Sequence, residues 1–470
     1  MSEQIQTQVL VVGGGPGGYV AAIRCGQLGL KTTIVEADRL GGTCLIRGCI
    51  PSKALIHVAG KFEEMQHHVG MGKLGIRLDS PPVFDLGGAI DWKETVVDKL
   101  NGGVGALLKK AKVRVVHGKA VFSDAKNCTV ATADGEVTIS AEHVILATGS
   151  VVAGIPSIPY GEHVLSSTEA LLQREVPQRL VVIGAGYIGM ELGIAYARMG
   201  SQVVFVEALV RILTLFDRPL VKPVENWLKQ HKVEVHLKTK ALGVVEGPNG
   251  RALQVETADG ERKELVCDKV LVAVGRRPAT QGWGLEKMAI DMNGAFVKVD
   301  DQCRTSMRNV WAIGDLIGEP MLAHKASAQG EMVAEIIAGK RRSFNPVAIA
   351  AVCFTEPELV GCGLSPDDAK AQGIEVVVGN FPFAANGRSL AMQAGSDGGF
   401  VRVTARADNH LVLGIHAVGA HVSELSGEFA LALEMGARLE DLSGTIHVHP
   451  TMTETLPEAA LAALGHAIHA

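Results

Sequence analysis

Two stretches, QVLVVGGGPGGYVAAIRCGQLGLKTTIVEA and RLVVIGAGYIGMELGIAYARMGSQVVFVEA, are one unit written twice. Each reads as an apolar strand, a glycine turn, a helix and a second apolar strand ending on a glutamate, Glu36 in the first and Glu207 in the second. The glycines follow G-x-G-x-x-G, as Gly13, Gly15 and Gly18 and as Gly184, Gly186 and Gly189, with every position offset by 171. In such a unit the first glycine permits the turn, the second lets a pyrophosphate approach, and the third allows tight helix packing. The phosphates would sit on the helix N-terminus. The closing carboxylate lies 18 residues past the last glycine in both copies, where it can take the ribose hydroxyls of an adenosine. A lone glycine pattern is a weak signal. Two copies with identical strand, helix and acid spacing point to two Rossmann-like α/β units, each built for a dinucleotide.

Glu207 also discriminates between nicotinamide cofactors, because a carboxylate there repels a 2′-phosphate whereas an NADP site wants an arginine nearby. Arg211 follows, but four residues later and after the acid. The second site therefore reads as an NAD site. At 470 residues there is room for three or four domains, and the 55 glycines exceed the roughly 7% of average usage, implying many tight turns. A net charge of −5 with no basic run leaves no footprint for nucleic acid. The N-terminal stretch lacks a basic segment and its apolar run is broken by glycine, so neither a signal peptide nor a membrane span is expected. The expectation is a cytoplasmic protein.

Eight cysteines are too few for a disulfide scaffold, and Cys25, Cys128, Cys267, Cys303, Cys353 and Cys362 have no close partner in sequence. They are expected to be buried and inert. Cys44 and Cys49, inside GGTCLIRGCIPSK, are different. Three uses compete: a metal site, a packed pair and a redox disulfide. A structural zinc site wants four ligands, and no second cysteine pair or nearby Cys/His cluster accompanies this one, so no metal is expected. The flanking glycines do not resemble a core strand. A close pair in a reducing compartment is more often redox-active or metal-binding than a structural staple. Near the C-terminus, HVHPTMTE offers a base: Pro450 biases His449 towards extended backbone, and Glu454 can fix its tautomer. The competing reading makes Thr451-x-x-Glu454 a capping box, and one glutamate is not expected to do both jobs.

These segments occur in a telling order: GGGPGG, GGTC then GCIPSK, ILATGS at 145–150, GAGYIG at 184–189, VGRRP at 274–278, WAIGD at 311–315 and HPTMTE at 449–454. In them the chain resembles the pyridine nucleotide-disulfide oxidoreductases over essentially its whole length. Within that family it is most similar to the branch that oxidises dihydrolipoyl groups with NAD. The resemblance implies FAD in the first site and NAD in the second, with Thr148, Gly149 and Gly275 among the cofactor-binding positions. Asp315 would be a second flavin contact, its competing use being a helix N-cap. Lys53 would lie beside the flavin with Glu191 as its ion-pair partner. By matching order, Cys44 is the sulfur that exchanges with substrate and Cys49 the one that faces the flavin ring. His449 and Glu454 would act as the acid/base pair in the partner subunit's site, making the protein a homodimer, and its partners would be lipoyl-bearing carrier proteins of a multienzyme complex.

Two departures from the family pattern stand out. Relatives commonly carry Asn and a small apolar residue between the cysteines, where this chain has Ile46 and Arg47. Arg47 is open to three readings: holding a thiolate, meeting an acidic carrier, or a solvated side chain. Pro457 requires any helix there to treat it as a first-turn residue, with Thr455 as cap. The expected fold is α/β: an FAD-binding domain at 1–150, an NAD-binding domain at 151–278, a central segment at 279–346 completing the FAD site, and an α+β dimerisation domain at 347–470. Two other functions compete. An NADPH-dependent disulfide or mercuric reductase is opposed by Glu207 and by the lack of a C-terminal vicinal cysteine pair. A flavin-bearing assembly subunit with only a docking role is opposed by the intact Cys44/Cys49 pair and His449.

Overall fold

The run VLVV, residues 9–12, is apolar at every position because its strand is buried on both faces there. In the computed structural model, which describes residues 3–70, 72–247, 250–395 and 397–469, Val9, Leu10 and Val11 are fully buried in the strand Glu3–Val12. That strand pairs in parallel with Thr32–Glu36 on one side and Gly135–Leu146 on the other. Arg114–His117 extends the sheet beyond Thr32–Glu36. The short strand Val310–Ala312, from the VWAIGD segment, joins it in parallel beside Leu146. A stretch that follows the whole second unit in sequence thus returns to the first sheet. Its helix Ala323–Ile337 lies backbone to backbone on the helix Pro16–Gln27: a Cβ at Gly330 would fall 2.4 Å from the Gly17 carbonyl oxygen.

The second unit repeats the plan. Arg179–Ile183 is flanked in parallel by Gln202–Val206 and Lys269–Val272, with Glu234–His236 and Val164–Leu165 at the edges. An antiparallel meander, Lys240–Gly247, Gly250–Glu256 and Arg262–Val266, is appended. The chain passes between the two sheets along Ser150–Val152 and returns along Arg276–Pro278, and these crossings form one antiparallel ribbon in which Ser150 faces Pro278.

The last part is an antiparallel sheet of Ala351–Cys353, Glu358–Gly363, Val412–Gly419, Phe400–Arg406 and Val376–Pro382, in that spatial order. The helices Ser426–Glu434 and Thr455–Ala463 cover it through Phe381, Phe383, Phe429 and Leu456. Thr455–Ala463 sits flat on its strand, since a Cβ at Gly379 would come within 2.0 Å of the Ala459 carbonyl oxygen. The six cysteines without a sequence partner are all buried. Among the described residues no helix is long and apolar enough to cross a membrane.

Candidate functional site

The two glycine loops are the same in atomic detail. Gly13 and Gly184 have φ of +102° and +100°, which an L side chain resists. A Cβ at Gly18 would lie 1.8 Å from the Gly13 carbonyl oxygen, and one at Gly189 2.0 Å from that of Gly184, so both third glycines exist to let helix meet turn. The middle glycines differ in kind. A Cβ at Gly186 would meet nothing within 4 Å, and one at Gly15 only the Gly42 Cα at 3.9 Å. The space each leaves lies at the N-terminus of a 12-residue helix with no side-chain cap, which is a cradle for a pyrophosphate. Glu36 accepts hydrogen bonds from Gly14 N (2.5 Å) and Asp38 N (2.8 Å). Glu207 accepts them from Ala185 N (2.7 Å) and Leu209 N (2.8 Å). The pattern is conserved across the 171-residue offset, so both carboxylates are clamped at the end of their strand, facing the glycine turn. The residues present fit a dinucleotide at each loop.

Arg211, the one basic group that sequence put near Glu207, is spent on its own loop: it donates to the carbonyls of Phe216 (2.5 Å) and Thr214 (2.8 Å). It braces the turn. Arg47 is similarly occupied. It ion-pairs with Asp38; burial holds the Glu36 carboxyl above its ordinary range, opposed by the Gly14 and Ala37 N–H groups and, more weakly, by Arg47. Of the three sequence readings, a partly solvated side chain is compatible with its 37% exposure, and the pair with Asp38 ties the cysteine segment back to the acid turn.

The cysteine pair spans two helices. Cys44 is in the short helix Gly42–Arg47 and Cys49 is the first residue of the helix Cys49–Gln66, into which Pro51 fits as a first-turn residue. Both are free thiols. A hydrogen bond between the sulfurs makes them unequal: Cys44 holds its proton and rises well above the ordinary thiol range, while Cys49 falls to about 7, helped by the Lys53 ammonium one turn on. The N-terminus of an 18-residue helix pulls the same way. Lys53 Nζ is 2.7 Å from Glu191 Oε2 and lies over the Phe354 ring, whose backbone N–H donates to Glu191 Oε1 at 2.9 Å. Burial lowers the Lys53 ammonium, but the pairing with Glu191 more than offsets it. Since Glu191 stands on the helix Tyr187–Arg198, whose N-cap is Gly186, the chain Cys49–Lys53–Glu191 runs from the first unit into the second.

Asp315 follows Gly314 in a short turn whose N-cap is Ile313, so it does not cap that turn. Its Oδ2 accepts from Ser150 Oγ at 2.5 Å, and Arg276 donates to both Ser150 Oγ and Ser150 O at 2.7 Å. Ser150 and Arg276 therefore orient Asp315, a role invisible in sequence because it depends on the ribbon between the two sheets. Thr148 donates to the Ala279 carbonyl (3.0 Å) in the same neighbourhood. Gly149 and Gly275 have φ of +70° and +121°, keeping side chains away from this seam.

His449 lies apart from these groups, on the extended segment before the last helix. Its Nδ1 is 2.9 Å from Glu454 Oε1, and the side chain is 81% exposed, so Nε2 faces out of this chain. Glu454 does both jobs that sequence held to be exclusive, because its second oxygen, Oε2, accepts from Thr451 N at 2.8 Å. Thr455 is the first residue of the following helix and not its cap; Pro457 falls in the first turn.

Residues 7–330 match the pyridine nucleotide-disulphide oxidoreductase family and residues 349–460 its dimerisation domain. Over 470 residues, all of both chains, the sequence is 56% identical to a dihydrolipoyl dehydrogenase of Pseudomonas aeruginosa. It is 45% identical to one of Geobacillus stearothermophilus over 99% of this chain and 98% of that one. Among solved structures, LpdA from Mycobacterium tuberculosis is similar with a TM-score of 0.88 at 26% identity, covering 97% of this chain and 99% of that one. The HOCl-induced flavoprotein disulfide reductase RclA from Escherichia coli reaches 0.84 at 25% identity, covering 96% and 99%. Two matched glycine loops, a polarised cysteine pair between them and full-length likeness lead to one assignment: the chain belongs to the pyridine nucleotide-disulphide oxidoreductase family.

Proposed function

We propose that the chain is a dihydrolipoyl dehydrogenase, which oxidises a protein-borne dihydrolipoyl group to its cyclic disulfide with NAD as acceptor. The observation that carries this reading is the polarised pair, with Cys49 favoured as thiolate and linked through Lys53 and Glu191 to the second unit. Gly13, Gly15, Gly18, Glu36, Lys53, Thr148, Gly149 and Asp315 would hold FAD, and Gly184, Gly186, Gly189, Glu207 and Gly275 would hold NAD, with Glu191 steadying Lys53 at the junction. FAD supplies the two-electron relay between sulfur and nicotinamide.

The sulfur chemistry belongs to the chain. His449 Nε2 takes a proton from one substrate thiol, and the thiolate attacks Cys44 of the Cys44–Cys49 disulfide. A mixed disulfide forms and Cys49 leaves as thiolate; a low leaving-group pKa speeds that step. The second substrate sulfur then attacks its mixed-disulfide partner, closing the lipoyl ring and freeing Cys44. One substrate proton ends on Cys44 and the other on His449, and the substrate's two electrons reside in the reduced cysteine pair. The hydrogen-bonded thiol and thiolate described above carry the protonation this step leaves.

The outward-facing His449 supports a site shared between two copies of the chain, and the exposed Ile446 and Val448 beside it supply apolar surface for such an interface. We take the working unit to be a cytoplasmic homodimer serving lipoyl-bearing carriers of a multienzyme complex. An NADPH-linked reductase is disfavoured by the engaged Arg211 and the clamped Glu207. The deciding experiment is an anaerobic titration: dihydrolipoamide should reduce the yellow protein and NAD should reoxidise it. Reduction by NADPH together with inertness to dihydrolipoamide would overturn the proposal.

A further inference from the structure

Two histidines two residues apart in the segment before the last helix have opposite hydrogen-bond accounts. His449 engages one acceptor, Glu454, through Nδ1 and keeps Nε2 unengaged and exposed. His447 engages two. Its Nδ1 is 2.8 Å from the Thr445 carbonyl oxygen and its Nε2 is 2.7 Å from Glu428 Oε1. A carbonyl and a carboxylate can only accept, and a neutral imidazole has a single N–H to give. Both contacts are hydrogen bonds together only when both nitrogens carry protons. The ring is largely buried, with 8% of its side chain exposed, while Glu428 on the helix Ser426–Glu434 remains 34% exposed. A buried imidazolium is tolerable when paired and fully hydrogen-bonded, and here its partners are a carboxylate and a carbonyl. The Glu454 carboxyl, which burial raises, is held below its ordinary value by the Thr451 N–H and His449, with His447 the smallest contributor.

We propose that His447 is a positioning residue: an imidazolium clamped between the Thr445 carbonyl and Glu428 that fixes the segment presenting His449. Within its own chain the segment has few other ties: the Ile446 and Val448 side chains are 97% and 73% exposed, and the Val448 carbonyl accepts from Thr451 Oγ1 at 2.6 Å. Between the Thr445 hydroxyl on Asp441 O and the Thr451 hydroxyl on Val448 O, the His447 ring is the side chain of this segment that is anchored into its own chain. The inference rests on the reading of His449 as the base.

The test uses the FAD-loaded dimer. His447→Phe keeps a ring and removes both donors; a misplaced base costs about 10- to 100-fold in rate, so dihydrolipoamide oxidation should fall by that factor in kcat. Reduction of ferricyanide by NADH needs no thiol exchange and should be unchanged. Placed on a His449→Gln background, His447→Phe should cost nothing further, because the clamp acts only through His449. Should His447→Phe fail to fold, Glu428→Leu removes the other half of the clamp and carries the same expectations. Full dihydrolipoamide activity in the single variant, an additional loss in the double variant, or a parallel loss of dye reduction would each overturn the proposal. Nitrogen-15 shifts of the unmutated protein near neutral pH should show both His447 nitrogens protonated, and a singly protonated ring would overturn the charge assignment. His449→Gln on its own separates the two readings: if it leaves dihydrolipoamide oxidation intact, it is the base assignment that falls.

Discussion

Cys44 and Cys49 are the same side chain five positions apart, and their surroundings make them different reagents. Cys49 has a cation one turn away, a helix N-terminus and a donated S–H; Cys44 is the donor. A thiol with a lowered pKa is thiolate above that value and loses reactivity as pH falls through it. Alkylation of the reduced protein by iodoacetamide, followed by mass spectrometry, should therefore label Cys49 with a midpoint near 7, with Cys44 lagging to higher pH. Lys53→Met should move the Cys49 midpoint upward. Equal midpoints for the two sulfurs would remove the polarisation on which the proposed chemistry rests. Glu207 yields a second test at this scale. Steady-state kinetics should show a strong preference for NAD over NADP, and Glu207→Ala should narrow it mainly by weakening NAD, at roughly 1.5 to 3 kcal/mol for a lost charged hydrogen bond. Single residues were also where sequence said least. That Glu454 divides its two oxygens between His449 and Thr451, and that Arg47 turns back to Asp38, depend on side-chain directions that spacing does not encode.

At the scale of elements the sequence was far more explicit, because the strand–turn–helix unit is largely local: each third glycine is constrained by the carbonyl of the first, and each closing acid is held by the turn of its own unit. The three glycines of the second loop can now be separated by what surrounds them. Gly186 has φ of −76° and open space where a Cβ would go. Gly186→Ala should leave thermal stability within about 0.5 kcal/mol of the parent and raise the KM for NAD about tenfold or more, because the methyl occupies the pyrophosphate cradle. Gly189→Ala places its methyl 2.0 Å from the Gly184 carbonyl oxygen and should cost about 1 to 3 kcal/mol of stability by overpacking. Thermal melts alongside NAD kinetics distinguish the two; a normal KM in a stable Gly186→Ala protein would mean that no phosphate lies there. What the elements hid was long-range. Pro51 sits in the first turn of an 18-residue helix whose start sets the Cys49 environment, a helix that the cysteine spacing does not announce. The Ser150–Val152 and Arg276–Pro278 ribbon is too short and too polar to announce itself, and it is what aims Asp315.

For the whole molecule the question is where the proton acceptor comes from. The cysteine pair lies between the two dinucleotide units, whereas His449 projects from the sheet-and-helix part at the other end of the chain, fixed by Glu454 and 81% exposed. A base presented outward, next to exposed apolar residues in a segment matching a dimerisation domain, makes chemical sense when a second copy receives it. A two-fold interface of that kind is reciprocal: each copy gives its His449 to the other and takes one in return. His449→Gln should then reduce dihydrolipoamide oxidation by ~10² to 10⁴-fold, the usual contribution of a positioned base, with FAD retained. Mixing sharpens the expectation. Cys44→Ser and His449→Gln subunits are each inactive alone, but in a mixed dimer one site carries both lesions and the other carries neither. Random reassortment of equal amounts makes half the dimers mixed, each with one intact site of two, so activity should return to about a quarter of the unmutated level. Subunit exchange can be verified independently by mass tagging one parent. If mixed dimers form and no activity returns, His449 serves its own chain or is not the base, and the exposed segment that carries it needs another explanation.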